Sequence, residues 1–328
     1  MDDRALDQQR IEFLRHDANI GENDKLAPRL LSNRISNGLS RKAGVVMSKA
    51  SIVKRVAGIH AKQPWFVLSA AQDFSLCSSD IAEVSHFYGF EADSSASLTL
   101  AIPDGCIDIL FDCDATSPTA YVCGTTLEAT RANFVHQHRY FGVRFVPGVI
   151  PDFLNASASE MINHLLRLHD VVPTCNALFE QVVSAPTFVQ QVTLTQQFLK
   201  DKLLNNRRRR RFSPLTSQAI ELICHHKGNI QIKQLEALTG YTSRTLQRQF
   251  LGDLGLSPKA FSRIIRCQSA VYHINHQQQV IFSDLAYGLG FSDQSHFLRE
   301  FKRLVSATPL DYQKRVKHET YLNRIRYN

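Results

Sequence analysis

One pattern occurs twice in this chain, and few folds accommodate it. Residues 230–251 read IQIKQLEALTGYTSRTLQRQFL. Ile232, Leu235 and Leu238 recur at the spacing of one face of a short helix. Thr239-Gly240-Tyr241 then breaks it, with Gly240 able to take the left-handed conformation that ends a helix. Thr242 or Ser243 can cap a second helix, in which Leu246 and Phe250 stand four apart and face inward. Fifty residues after Gly240, Gly290 occupies the same place in FSDLAYGLGFSDQSHFLREFKRLVSATPLDY, residues 282–312. There Leu285 and Leu289 are inward, Ser292 or Asp293 caps, and Phe297 and Phe301 repeat the inward pair. Between the copies, Ser257-Pro258 starts a connecting helix whose apolar positions are Ile264, Ile265, Ala270, Val271 and Ile274.

The faces left outside have Arg and Gln in common. The first copy leaves Arg244, Gln247 and Arg248 outside; the second leaves Gln294, Ser295, Leu298 and Arg299. Arg and Gln are the side chains that bond guanine and adenine edges bidentately in a major groove. Charge agrees with a polyanionic partner. Residues 200–328 hold 22 Lys and Arg against 9 Asp and Glu, a net of +13, whereas residues 1–199 hold 16 against 21, a net of −5. A basic half joined to a slightly acidic one predicts that the basic half meets nucleic acid.

These residues resemble the DNA-binding domain of the AraC/XylS transcription regulators. The matching features are Leu235 to Phe250 with its Gly-Tyr-Thr turn, Gly255-Leu-Ser-Pro258, Arg266 with Ala270, the run from Leu285 to Lys302, and Thr308-Pro309 with Tyr312. The resemblance covers about 100 residues. It implies that Thr242, Arg244, Gln247 and Arg248 of the first unit, and Gln294, Ser295, His296 and Arg299 of the second, meet double-stranded promoter DNA. It also implies contact with RNA polymerase if the protein activates, a homodimer in some members, and a small-molecule effector. Two positions depart from the pattern. Glu236 stands where a small residue usually lets the two helices approach, and so predicts looser packing. Ser306 stands where Gly usually precedes the proline turn, and must accept a conformation that Gly adopts freely.

The front half reads differently. After the turn Pro103-Asp104-Gly105, the residues Ile107, Ile109 and Phe111 alternate with Asp108, Leu110 and Asp112, and Phe141, Val143 and Phe145 alternate up to Pro147-Gly148. This period of two predicts a half-buried antiparallel sheet. Ser157 and Glu160 have capping-box spacing, and Met161, Ile162, Leu165, Leu166 and Leu168 predict a helix after it. A further helix is expected from Phe188 to about Leu204. The segments Pro103–Phe111 and Phe141–Gly148 resemble an uncharacterised N-terminal domain carried by one branch of the same regulators. The fold class is therefore α+β: an antiparallel β domain, cupin-like or a small barrel, with helices, then an all-α domain of two helix-turn-helix units and a connecting helix. The expected organisation is a flexible tail at 1–61, a sensing or dimerisation domain at 62–204, a basic linker at 205–216 containing NNRRRRR, the DNA-binding domain at 217–318, and a tail at 319–328.

Other chemistries find little support. Asp104, Cys106, Asp108, Asp112, His136 and His138 suggest a metal, but His136-x-His138 is a single short pair with no further ligands at recognisable spacing. No cofactor or metal is expected. Cys106 has no basic neighbour in sequence to lower its pKa, which argues against a reactive thiol. Arg144, between Val143 and Phe145, is the best single residue to grip either an anionic effector or a structural carboxylate. No nucleophile–base pair or phosphate loop appears, so an enzyme is not expected. Seven scattered cysteines without a C-x-x-C pair, a polar N-terminus and no long apolar run predict a cytoplasmic protein with reduced thiols and no membrane contact.

Overall fold

The computed structural model describes residues 63–93, 99–205, 212–277, 279–318 and 321–328. The expected tail at 1–61 and the arginine run at 207–211 lie outside the described residues. A short helix α1 (Pro64–Leu68) precedes the strands β1 (Phe74–Ser78), β2 (Val84–Glu91), β3 (Thr99–Ala101), β4 (Asp108–Asp112), β5 (Thr119–Cys123), β6 (Thr130–Ala132), β7 (Arg139–Phe145) and β8 (Leu165–Arg167). Helices α2 (Leu168–Val171), α3 (Asn176–Ser184) and α4 (Phe188–Asn205) follow. The remaining helices are α5 (Pro214–His225), α6 (Ile232–Thr239), α7 (Ser243–Leu254), α8 (Pro258–His276), α9 (Phe282–Gly288), α10 (Gln294–Val305) and α11 (Pro309–His318). A 3-10 turn at Tyr321–Arg324 and strand β9 (Ile325–Tyr327) end the chain.

Seven strands form one sheet in the order β8-β5-β4-β7-β2-β1-β9, and β3 pairs with β6 in a separate ladder. The named strands pair antiparallel except β1 with β9. The seven-stranded sheet is thus open, with β8 and β9 as its edges, rather than closed into a barrel. The expected alternation is present: Phe87, Ile109, Phe111, Val122, Phe141, Val143 and Phe145 share one buried face. The other face is not simply solvated, however, because all of β7 beyond Arg139 is buried. Gly142 permits this, since a Cβ there would come within 2.1 Å of the Tyr88 ring that lies across the strand.

Polar residues survive on that second face because they are paired. Arg144, 2% exposed, donates to Asp108 from Nε at 2.8 Å and from Nη2 at 2.5 Å, and its Nη1 stands 2.9 Å from Asp104 Oδ2. Gln63 also donates to Asp104 Oδ2, at 2.7 Å, while Asp104 Oδ1 accepts from the Cys106 N–H at 2.9 Å. Burial pushes the Asp108 carboxyl up from its ordinary pKa against the opposing pull of Arg144.

Two segments differ from the sequence reading. The Ser157–Glu160 capping box forms, with Ser157 N–H donating to Glu160 at 2.6 Å, but it starts only one 3-10 turn at Ser159–Met161. Asn163 then takes a φ of +59°, and Leu165–Arg167 pairs with β5 instead of continuing as helix. An unpaired sheet edge outcompeted a weak helical period. The expected tail at 319–328 is, from Tyr321 onward, part of the fold: Tyr321 and Ile325 are buried, and β9 lies parallel to β1.

Arg144→Met should destabilise the protein by about 3–5 kcal/mol, because it strands two buried carboxylates without their cation. Urea unfolding followed by circular dichroism checks this; an unchanged midpoint would contradict it.

Candidate nucleic-acid interface

Each repeated unit forms the expected pair of helices, except that Leu238, placed with Ile232 and Leu235 on one face of α6, is exposed. In the first, Leu235 is fully buried on α6, and Gly240 ends that helix at φ +75°. Thr242 caps α7 by accepting from the Thr245 N–H, and Leu246 and Phe250 point into the core at 1% and 0% exposure. In the second, Leu289 is buried, Gly290 has φ +72°, and Asp293 caps α10 by accepting from the His296 N–H at 2.7 Å. That bond, more than any other, holds the Asp293 carboxyl below its ordinary pKa. Phe297 and Phe301 fill the second core.

With the inward faces buried, the outward ones stand in solvent. Thr242, Arg244, Gln247 and Arg248 are exposed on α7 and its cap; Gln294, Ser295 and Arg299 are exposed on α10. Arg244, Gln247, Arg248 and Arg299 carry no hydrogen bond or ion pair among the described residues, so their donors face outward uncommitted. Two members differ. His296 is half-buried with Nδ1 3.1 Å from Ser292 Oγ. Leu298, expected outside, packs against the second hydrophobic cluster.

The connecting helix α8 has 19 residues, or ~28 Å at ~1.5 Å per residue. It also seats both units on the front sheet. Gln268 donates to Pro103 O at 2.6 Å, and Phe261 lies against Gly105 and Gly148. Gly255, after α7, packs so closely on Ala158 that a Cβ would sit 2.4 Å from its carbonyl oxygen. A narrow crevice of about 10 Å³, no more than room for a single water, lies there, lined by Ile107, Thr125, Met161, Leu254 and Phe261 among others.

Arg144 and Cys106, weighed as effector-binding and redox residues, are both interior. The Arg144 donors are directed at Asp104 and Asp108, which is the structural use of that side chain. Burial, followed by the negative charge of Asp104, drives the Cys106 thiol well above its ordinary pKa. His138 bonds Asp112 at 3.0 Å, yet among the described residues no group of three or more His, Cys, Asp or Glu could hold a metal ion. No helix among them is long and apolar enough to cross a membrane.

Sequence reasoning missed what Glu236 does. It is half-buried, and its carboxylate accepts from the Ser243 N–H at 2.5 Å, tying α6 to the start of α7 where looser packing was expected. An acid beside a helix N-terminus complements the exposed N–H groups there. The signal was present as a carboxylate seven residues before Ser243, but only the turn geometry reveals that it reaches.

Comparison with known proteins then separates the two halves. A family described as "Helix-turn-helix domain" matches residues 235–315. The matched residues hold both helix-turn-helix units, in the stretch that resembles the AraC/XylS DNA-binding domain. A second family, "Domain of unknown function (DUF6597)", matches residues 82–167 of the front half. Among curated relatives, an uncharacterised HTH-type transcriptional regulator of Haemophilus influenzae is 28% identical over 102 residues, 31% of this chain and 34% of that protein. The HTH-type regulator YbfI of Bacillus subtilis is 25% identical over 170 residues, 45% of this chain and 59% of YbfI. The HTH-type activator RhaS of Escherichia coli is 35% identical over 68 residues, 21% of this chain and 24% of RhaS. The chain thus spans between a quarter and three fifths of the length of these relatives. Among solved structures, ToxT of Vibrio cholerae aligns over 74% of this chain and 98% of its own at 12% identity and a TM-score of 0.37. The C-terminal domain of AraT from Geobacillus stearothermophilus aligns over 32% and 88% at 20% identity and a TM-score of 0.30.

Ser306, where the resemblance expects Gly, ends α10 at φ +59° and ψ +20°. A non-glycine residue pays roughly 1–2 kcal/mol in that region, partly offset by the extra chain entropy of glycine when unfolded. Ser306→Gly should therefore stabilise the protein by about 1 kcal/mol and raise its Tm by ~2–4 °C. Calorimetry that finds no rise, or a fall, would contradict this.

Proposed function

We propose that the chain is a sequence-specific, DNA-binding transcription regulator that reads two successive major-groove segments, one through α7 and one through α10. One observation carries this reading: on each of two similar helices the apolar side is buried, and the opposite side offers uncommitted Arg, Gln or Ser side chains to solvent. That is the arrangement by which the second helix of such a unit lays its side chains on base edges. The net charge of +13 on residues 200–328 supplies the long-range attraction to phosphates.

Within this reading Arg244, Gln247, Arg248, Gln294, Ser295 and Arg299 meet base edges or phosphates. Thr242 and His296 contribute less, since each is already engaged at a helix start. The front domain senses a signal or pairs two copies. Because RhaS is named an activator, activation through contact with RNA polymerase is favoured over repression.

Base-reading and phosphate-binding arginines should separate experimentally. Arg248→Ala should cost roughly 1–3 kcal/mol on the selected site and less on random DNA. Replacing Arg207 to Arg211 with alanine should weaken both alike and flatten the salt slope by about 0.9 per lost contact. Affinity against salt on selected and scrambled duplexes checks this. Equal losses on both duplexes with a shallower slope would make Arg248 a phosphate contact.

A further inference from the structure

Arg266 sits in the middle of α8, and its guanidinium reaches both units at once. Nε and Nη2 donate to Gly228 O at 3.2 and 2.9 Å, in the loop that leads from α5 to α6 of the first unit. Nη1 lies 3.5 Å from Gly290 O, in the turn between α9 and α10 of the second. The same guanidinium lies over the Phe291 ring, 5.2 Å from its centroid. Phe291 in turn meets His296 and Phe297 at ring distances of 5.3 Å, on the first turn of α10.

The backbone around this arginine leaves no slack. Gly228 has φ +76°, and a Cβ there would lie 2.3 Å from Ser262 O and 2.5 Å from Arg266 N, so the first unit's loop rests on the α8 backbone. A Cβ on Gly290 would lie 2.0 Å from Asn229 Oδ1, so the second unit's turn rests directly on the first unit's loop. The second unit's turn therefore touches the loop that enters the first unit, in addition to the link through α8. Among the described residues, Arg266 bonds or approaches a carbonyl oxygen of each.

From this geometry we infer that Arg266 is a positioning residue that fixes the spacing and phase between α7 and α10, and with them the number of base pairs allowed between the two DNA segments. The inference rests on the two-segment reading proposed above. Inserting one base pair moves the second segment by ~3.4 Å and turns it by ~34°. A pair of units locked between the α5–α6 loop and the α9–α10 turn cannot follow that change, whereas a pair joined by α8 without the bracket can partly adjust. Arg suits the task because its planar fork donates in several fixed directions and stacks on an aromatic face; Lys has one compact ammonium and no such plane.

The test uses the full chain. A two-part site is first selected with the wild-type protein from a random-sequence duplex library. Duplexes with one or two base pairs inserted or deleted between its halves are then titrated with wild type, Arg266→Ala and Arg266→Lys, each checked for native circular dichroism. Wild type should lose about tenfold or more for each one-base-pair change, comparable to a mismatched base pair. Both variants should show a flatter spacing profile while selecting the same half-site sequences. Arg266→Lys carries the test if Arg266→Ala does not fold. A variant that binds every spacing as wild type does, or weakens on all of them in equal proportion, overturns the inference. If wild type itself enriches no two-part site, the proposed function fails first, and the inference falls with it.

Discussion

The buried charge of Arg144 is the interaction on which the front half, and through it the rest, depends. A cation and two carboxylates removed from water cost several kcal/mol each, and only close, complete pairing offsets this. Here the pairing spans three pieces of chain: β7 supplies Arg144, β4 supplies Asp108, and the Pro103–Cys106 turn supplies Asp104, which Gln63 also holds. The pairing fixes the turn as well as the strands. That turn is what α8 docks on, with Gln268 bonded to Pro103 O and Phe261 packed on Gly105. The position of the connecting helix thus follows from a charge buried in the sheet.

Each hydrophobic cluster joins the sheet to a different unit. One runs from Phe141 and Val143 through Ile150, Leu154 and Met161 into Ile220, Leu246, Phe250 and Phe261 of the first unit. The other runs from Phe74, Tyr88 and Phe90 through Trp65 into Phe297, Phe301 and Tyr312 of the second. Trp65 meets the Tyr312 ring edge-on at 5.4 Å, and β9 then returns the end of the chain to β1. The front domain does not hang from a linker beside an independent pair of units; it shares its core with both.

The repeated units were legible because their residues report local geometry. Gly240 and Gly290 both take positive φ, Thr242 and Asp293 both cap, and the Leu246/Phe250 and Phe297/Phe301 pairs all point inward. What stayed hidden depends on partners distant in sequence. Asp104, Asp108 and Arg144 were each noticed, but nothing in a period of two says that a cross-strand register pairs Asp108 with Arg144. The run after Ser157 has helical spacing and a working capping box, yet a free edge of β5 claimed Leu165–Arg167 as strand. Residues after Tyr321 look like a tail because three residues of strand carry almost no pattern, and only the exposed edge of β1 gives them a place.

Hydroxyl-radical footprinting on a selected duplex tests the two-segment grip most directly, because it reads both units on one molecule. The geometry predicts two protected patches on the same face of the duplex, centred about one helical turn, ~10 base pairs, apart. The patch under α10 should vanish in a variant whose Gln294, Ser295 and Arg299 are replaced by alanine, while the patch under α7 persists. A single short patch with the wild-type protein, or protection unaffected by changes on both helices, would contradict it.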